Sequence, residues 1–434
     1  MKYSRPRGTR DYLPPESYEI RRVLEKAREI FELYGYSEVI TPAFERLELL
    51  EAKAGPEIKE QIYWFKDKGG RLLGLRFDVT TSIARIVASS PELPKPMRFY
   101  YLAPVWRYEE PQRGRLREFW QAGVELIGSS HIDADAEVIA LTYRFFRELG
   151  LSNLTVRIND RRIADALAVK YGLSERKDEF FRALDKLYKQ GRERVGLELR
   201  KLGLNVGEVE EVLDFIRVEE DPFKTVNKGM EALKGYEQAY EGLKGINELI
   251  SILLDWYGLP RDVLIVDFSI VRGIGYYTGL VFEFLYEGTA EVRNLSLAGG
   301  GRYDKLIEVC GGPNIPATGM SVGVERVVMA LKGEGLLQNA EASKDVIVVP
   351  TEENLRKASV SIAEELRSKG IKAVVDVNHR NLRRALEYAD KLNMRYAIII
   401  GRKEYETGKI VLKDLKTREQ REVELEEAVR MIKG

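Results

Sequence analysis

Phe119-Trp120-Gln121-Ala122-Gly123-Val124-Glu125-Leu126 alternates with a period of two. Trp120, Ala122, Val124 and Leu126 are apolar, while Gln121, Gly123 and Glu125 fall between them. In a strand this sends the apolar set to a core and the others to the opposite face. Met97 to Gly128 holds two aromatic-rich strand patterns joined through Glu110-Pro111-Gln112-Arg113-Gly114, a hairpin signal. On the incoming strand Arg107 and Glu109 share one face, with Trp106 and Tyr108 on the other. The expected unit is an antiparallel sheet on which an arginine, a glutamine and a glutamate converge. The alternative is an ordinary solvated sheet face.

Four further segments carry similar chemistry. Val271-Arg272-Gly273-Ile274-Gly275-Tyr276-Tyr277-Thr278-Gly279 sets an arginine and two tyrosines among glycines, and Ala298-Gly299-Gly300-Gly301-Arg302-Tyr303-Asp304 follows. Arginine offers a fork of donors for carboxylate or phosphate, and tyrosine a flat wall with one polar tip. The pair describes a pocket for a small planar polar molecule beside an anion, or a glycine-bulged hairpin with a tyrosine core. In Arg76-Phe77-Asp78-Val79-Thr80-Thr81, Asp78 and Thr80 stand two apart on one side of an extended segment. They suit an ammonium group, or equally the cap of the helix that follows. Gly319 to Val327 reads as a strand entering a helix with Arg326 near its start.

Around these segments the chain falls into blocks. Glu16–Tyr34 has helical spacing of apolar residues, Ser37–Ala43 reads as a strand ending at Pro42, and Asp133–Gly150 is a second amphipathic helix. Residues 172–250 are charged, helical and almost free of strand signals, as expected of an inserted helical module. Strands resume at Val263–Val266. After a linker between Lys332 and Lys344, strands at 346–350, 372–376 and 396–401 alternate with helices, the pattern of a separate small α/β domain. The expected domains are therefore 1–332, containing the insertion, and 344–434.

Composition narrows the chemistry. The 434 residues are 44% hydrophobic and 32% charged, with 69 basic and 69 acidic side chains, so no global charge draws the chain to nucleic acid. One cysteine, Cys310, fits a reducing cytosol, and two histidines, His131 and His379, make zinc sites or a Ser-His-Asp triad poor candidates. No signal peptide or membrane-spanning run is evident. Residues 341–434 carry 20 basic and 17 acidic groups, so an RNA surface there has to be local; Arg380-Asn381-Leu382-Arg383-Arg384 is the candidate.

In this order and spacing the segments resemble the histidyl-tRNA synthetases, a family of class II aminoacyl-tRNA synthetases. The strand ending at Pro42 resembles the first class motif, Phe99 to Gln121 the second and Gly319 to Arg326 the third. Arg272–Gly279 and Ala298–Asp304 resemble the two histidine-specific motifs, and Arg5 to Asp11 the family's opening. Where many members carry an acid between the arginine and the tyrosines, this chain has Gly275.

The resemblance implies an α+β fold: a class II catalytic core with an antiparallel sheet and helical insertion, plus a C-terminal α/β anticodon-binding domain. It implies activation of L-histidine by ATP to histidyl-adenylate, then transfer to the 3′-terminal adenosine of tRNA. Arg107 and Arg272 would be catalytic at the α-phosphate. Asp78, Thr80 and Gln121 would hold the α-ammonium, Glu125 and Tyr277 would read the imidazole, and Tyr276 would complete the histidine site by packing there. ATP would be held by Arg107, Glu109, Arg113 and Arg326, with Mg2+ bound mainly through its phosphates. A cytoplasmic homodimer is implied as well. A histidine-binding regulatory subunit of ATP phosphoribosyltransferase shares such a core, but it typically lacks the third α/β block and has degraded motifs. Threonyl, prolyl and glycyl enzymes build different side-chain pockets.

Overall fold

The computed structural model describes residues 3–52, 56–112, 114–271, 275–288, 293–337 and 346–433. The chain divides into two compact units, Met1–Leu336 and Leu337–Gly434. The expected linker falls largely on residues 338–345, outside the described ones.

The first unit is built on an eight-stranded sheet. Its order is Ser37–Glu38, Met97–Trp106, Glu118–Ile127, Ala317–Gly323, Arg293–Arg302, Leu280–Glu287, Leu154–Asp160 and Leu264–Val266. The interior pairings are antiparallel; only the two edge strands pair in parallel. The hairpin expected from the alternation forms in register, with Ala103 opposite Gln121 and Phe99 opposite Glu125. The polar face is not solvated: Gln121 is 4% exposed and Glu125 1% exposed. Apolar layers cover both faces, because Ile132–Glu148 and Glu16–Leu33 pack behind the sheet while Thr80–Ser89 helps close the front.

Several elements differ from the sequence reading. The strand at 37–43 is only Ser37–Glu38, since the chain leaves the edge beside Pro42 and pairs again at Phe44–Arg46 in a separate three-stranded sheet with Trp64–Lys66 and Leu72–Leu75. Those short strands carry too little alternation to be read locally. The incoming hairpin strand stops at Trp106, so Arg107 and Glu109 sit just beyond it. The helical module runs through Lys177–Leu184, Leu187–Lys201, Val206–Phe215, Pro222–Ala232 and Glu237–Asp255. Its helix starts are locally encoded. Asn205 and Glu208 form a reciprocal capping box, and Asp221 caps a helix with Pro222 in its first turn.

The second unit is a five-stranded sheet in the order Ala373–Val375, Val346–Pro350, Tyr396–Ile400, Ile410–Asp414, Gln420–Val423. The first three strands are parallel, as the alternation with helices requires. The last two add an antiparallel hairpin, followed by helix Leu425–Lys433, none of which the sequence reading reached. At the candidate RNA patch Asn381 caps a helix through the Arg384 N–H. Arg380 is tied to Asp376 and lies over the Tyr388 ring, and Arg383 pairs with Glu387.

Candidate active site

A cavity opens on the front of the large sheet, lined by residues from each predicted segment. Asp78 and Thr80 come from the start of a helix, Arg107 and Glu109 from just past the end of strand Met97–Trp106, and Gln121 and Glu125 from its partner. Tyr276, Tyr277, Tyr303 and Arg326 complete it. Arg113 and Arg272 lie outside the described residues.

The Asp78 segment is not extended, as the sequence suggested. Asp78 Oδ1 accepts from the Thr81 backbone N–H at 3.2 Å and the Thr81 hydroxyl at 3.0 Å, anchoring helix Thr80–Ser89. Capping therefore uses one carboxylate oxygen. The other, Oδ2, is buried without a hydrogen bond of normal geometry, although the Tyr276 hydroxyl still favours its charged form. Burial pushes the Asp78 carboxyl upward, opposed by the Thr81 N–H and the positive charge of Arg107. Gln121 Oε1 is likewise buried without a donor, while its amide nitrogen reaches Ser321 Oγ at 3.5 Å. Two orphaned acceptors in one cavity call for a donor-rich guest, such as an ammonium group.

Glu125, at 1% exposed, is more buried than Asp78, Gln121 or Thr80. Thr80 Oγ1 donates to Glu125 Oε1 at 2.6 Å, and the Tyr303 hydroxyl donates to Oε2. Burial raises the carboxyl to about 8, against the lowering effect of those hydroxyls and with a further push from Asp78. Tyr303 belongs to a motif singled out in the sequence, but only the fold shows that its ring turns toward Glu125.

Both tyrosines of the glycine-rich segment are buried, Tyr276 at 6% and Tyr277 at 7% exposure, and both line the cavity. Their rings lie 4.9 Å apart, with Tyr303 packed edge-on to Tyr276 at 5.7 Å. The two histidine-motif segments are laced together. The Thr278 N–H donates to the Arg302 carbonyl at 2.8 Å, and the Asp304 N–H donates to Thr278 Oγ1 at 3.0 Å. Arg302 itself points away to Asp135, donating from Nη2 at 2.5 Å.

Two glycines give room to the protein's own side chains rather than to a guest. A Cβ at Gly319 would lie 1.8 Å from Glu125 Oε2, and one at Gly123 would lie 2.4 Å from the Tyr101 hydroxyl. Gly319→Ala is accordingly expected to cost about 1–3 kcal/mol through overpacking. Chemical denaturation checks this; a variant as stable as the parent would contradict the placement of Glu125.

The outer half of the cavity is cationic. Arg107 donates from Nε to the Phe77 carbonyl at 3.0 Å and lies 5.3 Å from the Phe119 ring centre. Arg326, in the first turn of helix Val324–Gly333, donates to the carbonyls of Gly114 at 3.0 Å and Ser296 at 3.0 Å. Burial and the charge of Arg115 both work against its protonated form. Arg115 pairs with Glu109 at 3.2 Å. Glu325 is held by the Trp120 N–H at 3.0 Å and the Tyr12 hydroxyl at 3.2 Å, and burial raises its carboxyl. Neither Glu325 nor Tyr12 stood out in the sequence, because each partner is remote along the chain.

A mixed sheet of this topology, with arginines at the hairpin and at the last strand–helix junction, defines the catalytic core of a class II aminoacyl-tRNA synthetase. The histidyl-tRNA synthetase family model matches residues 8–327, and an anticodon binding domain matches residues 345–434. The chain belongs to the histidyl-tRNA synthetase family. It is 43% identical over 429 residues to the histidine–tRNA ligase of Thermococcus kodakarensis, covering 98% of this chain and 97% of that one. Identity to the Pyrococcus horikoshii histidine–tRNA ligase is 40% over 431 residues, covering 99% and 98%. The fold resembles the crystal structure of histidyl-tRNA synthetase from Nostoc sp. PCC 7120, with TM-score 0.83, 27% identity and coverage of 100% and 99%.

Proposed function

We propose that this cavity activates L-histidine with ATP and that the chain then transfers the histidyl group to tRNA, as a histidine–tRNA ligase. The observation that carries this reading is the pairing inside one cavity of orphaned acceptors, Asp78 Oδ2 and Gln121 Oε1, with a buried Glu125 ringed by hydroxyls. The first pair suits an α-ammonium. The second suits an imidazole, because a carboxyl and phenols can satisfy both ring nitrogens. Tyr276, Tyr277 and Tyr303 supply the walls and the phenols.

Activation requires no protein nucleophile. A histidine carboxylate oxygen attacks the α-phosphorus of ATP, and pyrophosphate leaves with the electrons of the broken P–O bond. Arg107 stabilises the charge that builds there, and Arg326 holds the triphosphate side; such positioning is the protein's main contribution. Glu109 reads the adenine end. Arg113 and Arg272, by resemblance to the family motifs, join Arg107 and Arg326 at the phosphates and the reacting carboxylate. Mg2+ would be held mainly through the phosphates of ATP, where it would offset their negative charge. Among the described residues there is no group of three His, Cys, Asp or Glu side chains that could hold a metal alone. In the second step a ribose hydroxyl of the terminal adenosine attacks the histidyl carbonyl and AMP leaves.

The C-terminal unit is the anticodon reader, working by stacking and edge contacts on unpaired bases. With Arg380 committed to Asp376, the exposed arginines of its candidate patch are Arg384 and Arg383, the latter paired with the exposed Glu387. A homodimer is supported by exposed apolar side chains on the N-terminal segment and small sheet, among them Leu13, Ile40, Phe44 and Trp64. A cytoplasmic location rests on the lone Cys310; among the described residues no helix is long and apolar enough to cross a membrane.

The test is pyrophosphate exchange into ATP. Exchange is expected with histidine and not with threonine, proline or glycine, and charging is expected only of histidine-accepting tRNA. Exchange driven by another amino acid would sink the specificity assignment.

A further inference from the structure

The segment Asp267–Val271 leads directly into the first histidine-specific motif, and the helical insertion grips it from several sides. The Val271 N–H donates to Asp185 Oδ1 at 3.3 Å, from the turn between helices Lys177–Leu184 and Leu187–Lys201. The Phe268 ring stacks on Phe215 at 4.8 Å and 21°, at the end of helix Val206–Phe215. On helix Pro222–Ala232, Gly229 leaves room for that ring, since a Cβ there would lie 2.9 Å from it. Asp267 is wholly buried and accepts from Arg157 at 3.2 Å, and the Arg157 guanidinium lies 3.6 Å from the centre of the Tyr188 ring. Tyr188 belongs to the insertion as well.

The catalytic sheet holds the same segment from its other side. Asn159 Nδ2 donates to the carbonyls of Phe268 at 3.3 Å and Ile270 at 2.8 Å. The Asp267 N–H donates to the Ile158 carbonyl at 2.9 Å. The segment is therefore clamped between sheet and insertion, and its far end continues through the motif to Tyr276 and Tyr277 in the cavity.

We propose that the helical insertion is a working part of amino-acid activation, with Asp185 the positioning residue that seats the histidine motif through the Val271 N–H. The inference rests on the cavity being the histidine site. It assigns the insertion a role in the first half-reaction, before any tRNA is bound. The physical reason is that pre-organised sites depend on the support behind them: a misplacement of about 1 Å can cost about 10²-fold in rate.

The experiment is histidine-dependent pyrophosphate exchange by the full chain without tRNA, comparing Asp185→Ala, Asp185→Asn and the parent. Loss of a hydrogen bond to a carboxylate predicts about a tenfold lower kcat for Asp185→Ala. The KM for ATP should stay within about twofold, because Arg326, which holds the triphosphate side, is anchored elsewhere, on the Gly114 and Ser296 carbonyls. Asp185→Asn keeps an oxygen acceptor for the Val271 N–H and should recover part of the rate. An unchanged kcat for Asp185→Ala would overturn the proposal. So would a loss shared by kcat and both KM values together with a lower thermal midpoint, which would mark Asp185 as merely structural. A failure of the site reading shows differently, as absence of histidine-dependent exchange in the parent itself.

Discussion

Arg107→Ala is expected to lower the kcat of histidine-dependent exchange by about 10²–10³-fold, the usual cost of removing one donor aimed at developing charge. Three features set this expectation. The Phe77 carbonyl takes Nε at 3.0 Å and the Phe119 ring lies 5.3 Å away, so the guanidinium is fixed before substrate arrives. Anchoring through Nε leaves the Nη end as a fork for phosphate oxygens. The same positive charge favours ionised Asp78, whose burial otherwise pushes its carboxyl up. Loss of Arg107 therefore also weakens ammonium binding, and the histidine KM should rise along with the fall in kcat. Arg107→Lys should recover little, because a point charge does not replace a planar fork. Steady-state exchange kinetics decide the matter, and a change under about threefold in kcat would remove Arg107 from the reacting centre.

Glu125→Gln should separate two quantities that ordinarily move together, lowering histidine use while raising the stability of the free protein. The carboxyl that pairs with the imidazole is replaced by an amide, so kcat/KM for histidine should fall about 10–100-fold with the KM for ATP little changed. Stability moves the other way. In the fold the Glu125 carboxyl keeps its proton until about pH 8, against 4.5 as its ordinary value. Between those values the folded state binds more protons than the unfolded state, so stability falls as pH rises through that window. The penalty is complete above about pH 8 and amounts to a few kcal/mol at most. The amide variant has no such proton to lose. Its thermal midpoint should match the parent's near pH 4.5 and exceed it near pH 8.5. A parent midpoint with the same pH profile as the variant's would show that Glu125 ionises normally. Undiminished use of histidine would show that another group reads the imidazole.

Much of this site was legible in the chain because its chemistry is carried by short local patterns. The alternation at Phe119–Leu126 already placed Gln121 and Glu125 on one face, and the hairpin register follows from the period of two. Helix Glu16–Leu33 was readable for the same reason, a repeated spacing that buries one stripe, and the insertion was readable as a block from its charged composition and lack of strand signals. What local patterns could not reveal was burial on the polar face. Whether that face meets water or a cavity depends on the helix at Thr80–Ser89 and the loop at Tyr276, both remote in sequence. Asp78 was read as a choice between cap and binding group. One oxygen anchors the helix, and only the tertiary structure reveals the other, buried in the cavity beside Arg107 and Tyr276.

The glycines mark the boundary most clearly. By itself the sequence determined the family, the order of the motifs and most of the residue types that line the cavity, because those depend on composition and spacing along the chain. About Gly319 and Gly123 it said only that they lie in strands. The tertiary structure decided the rest: Glu125 and Tyr101 fill the space beside them, Tyr303 locks Glu125 from a third strand region, and the insertion clamps the histidine motif at Val271. These are contacts between residues tens to hundreds of positions apart, and close packing rather than periodicity selects them.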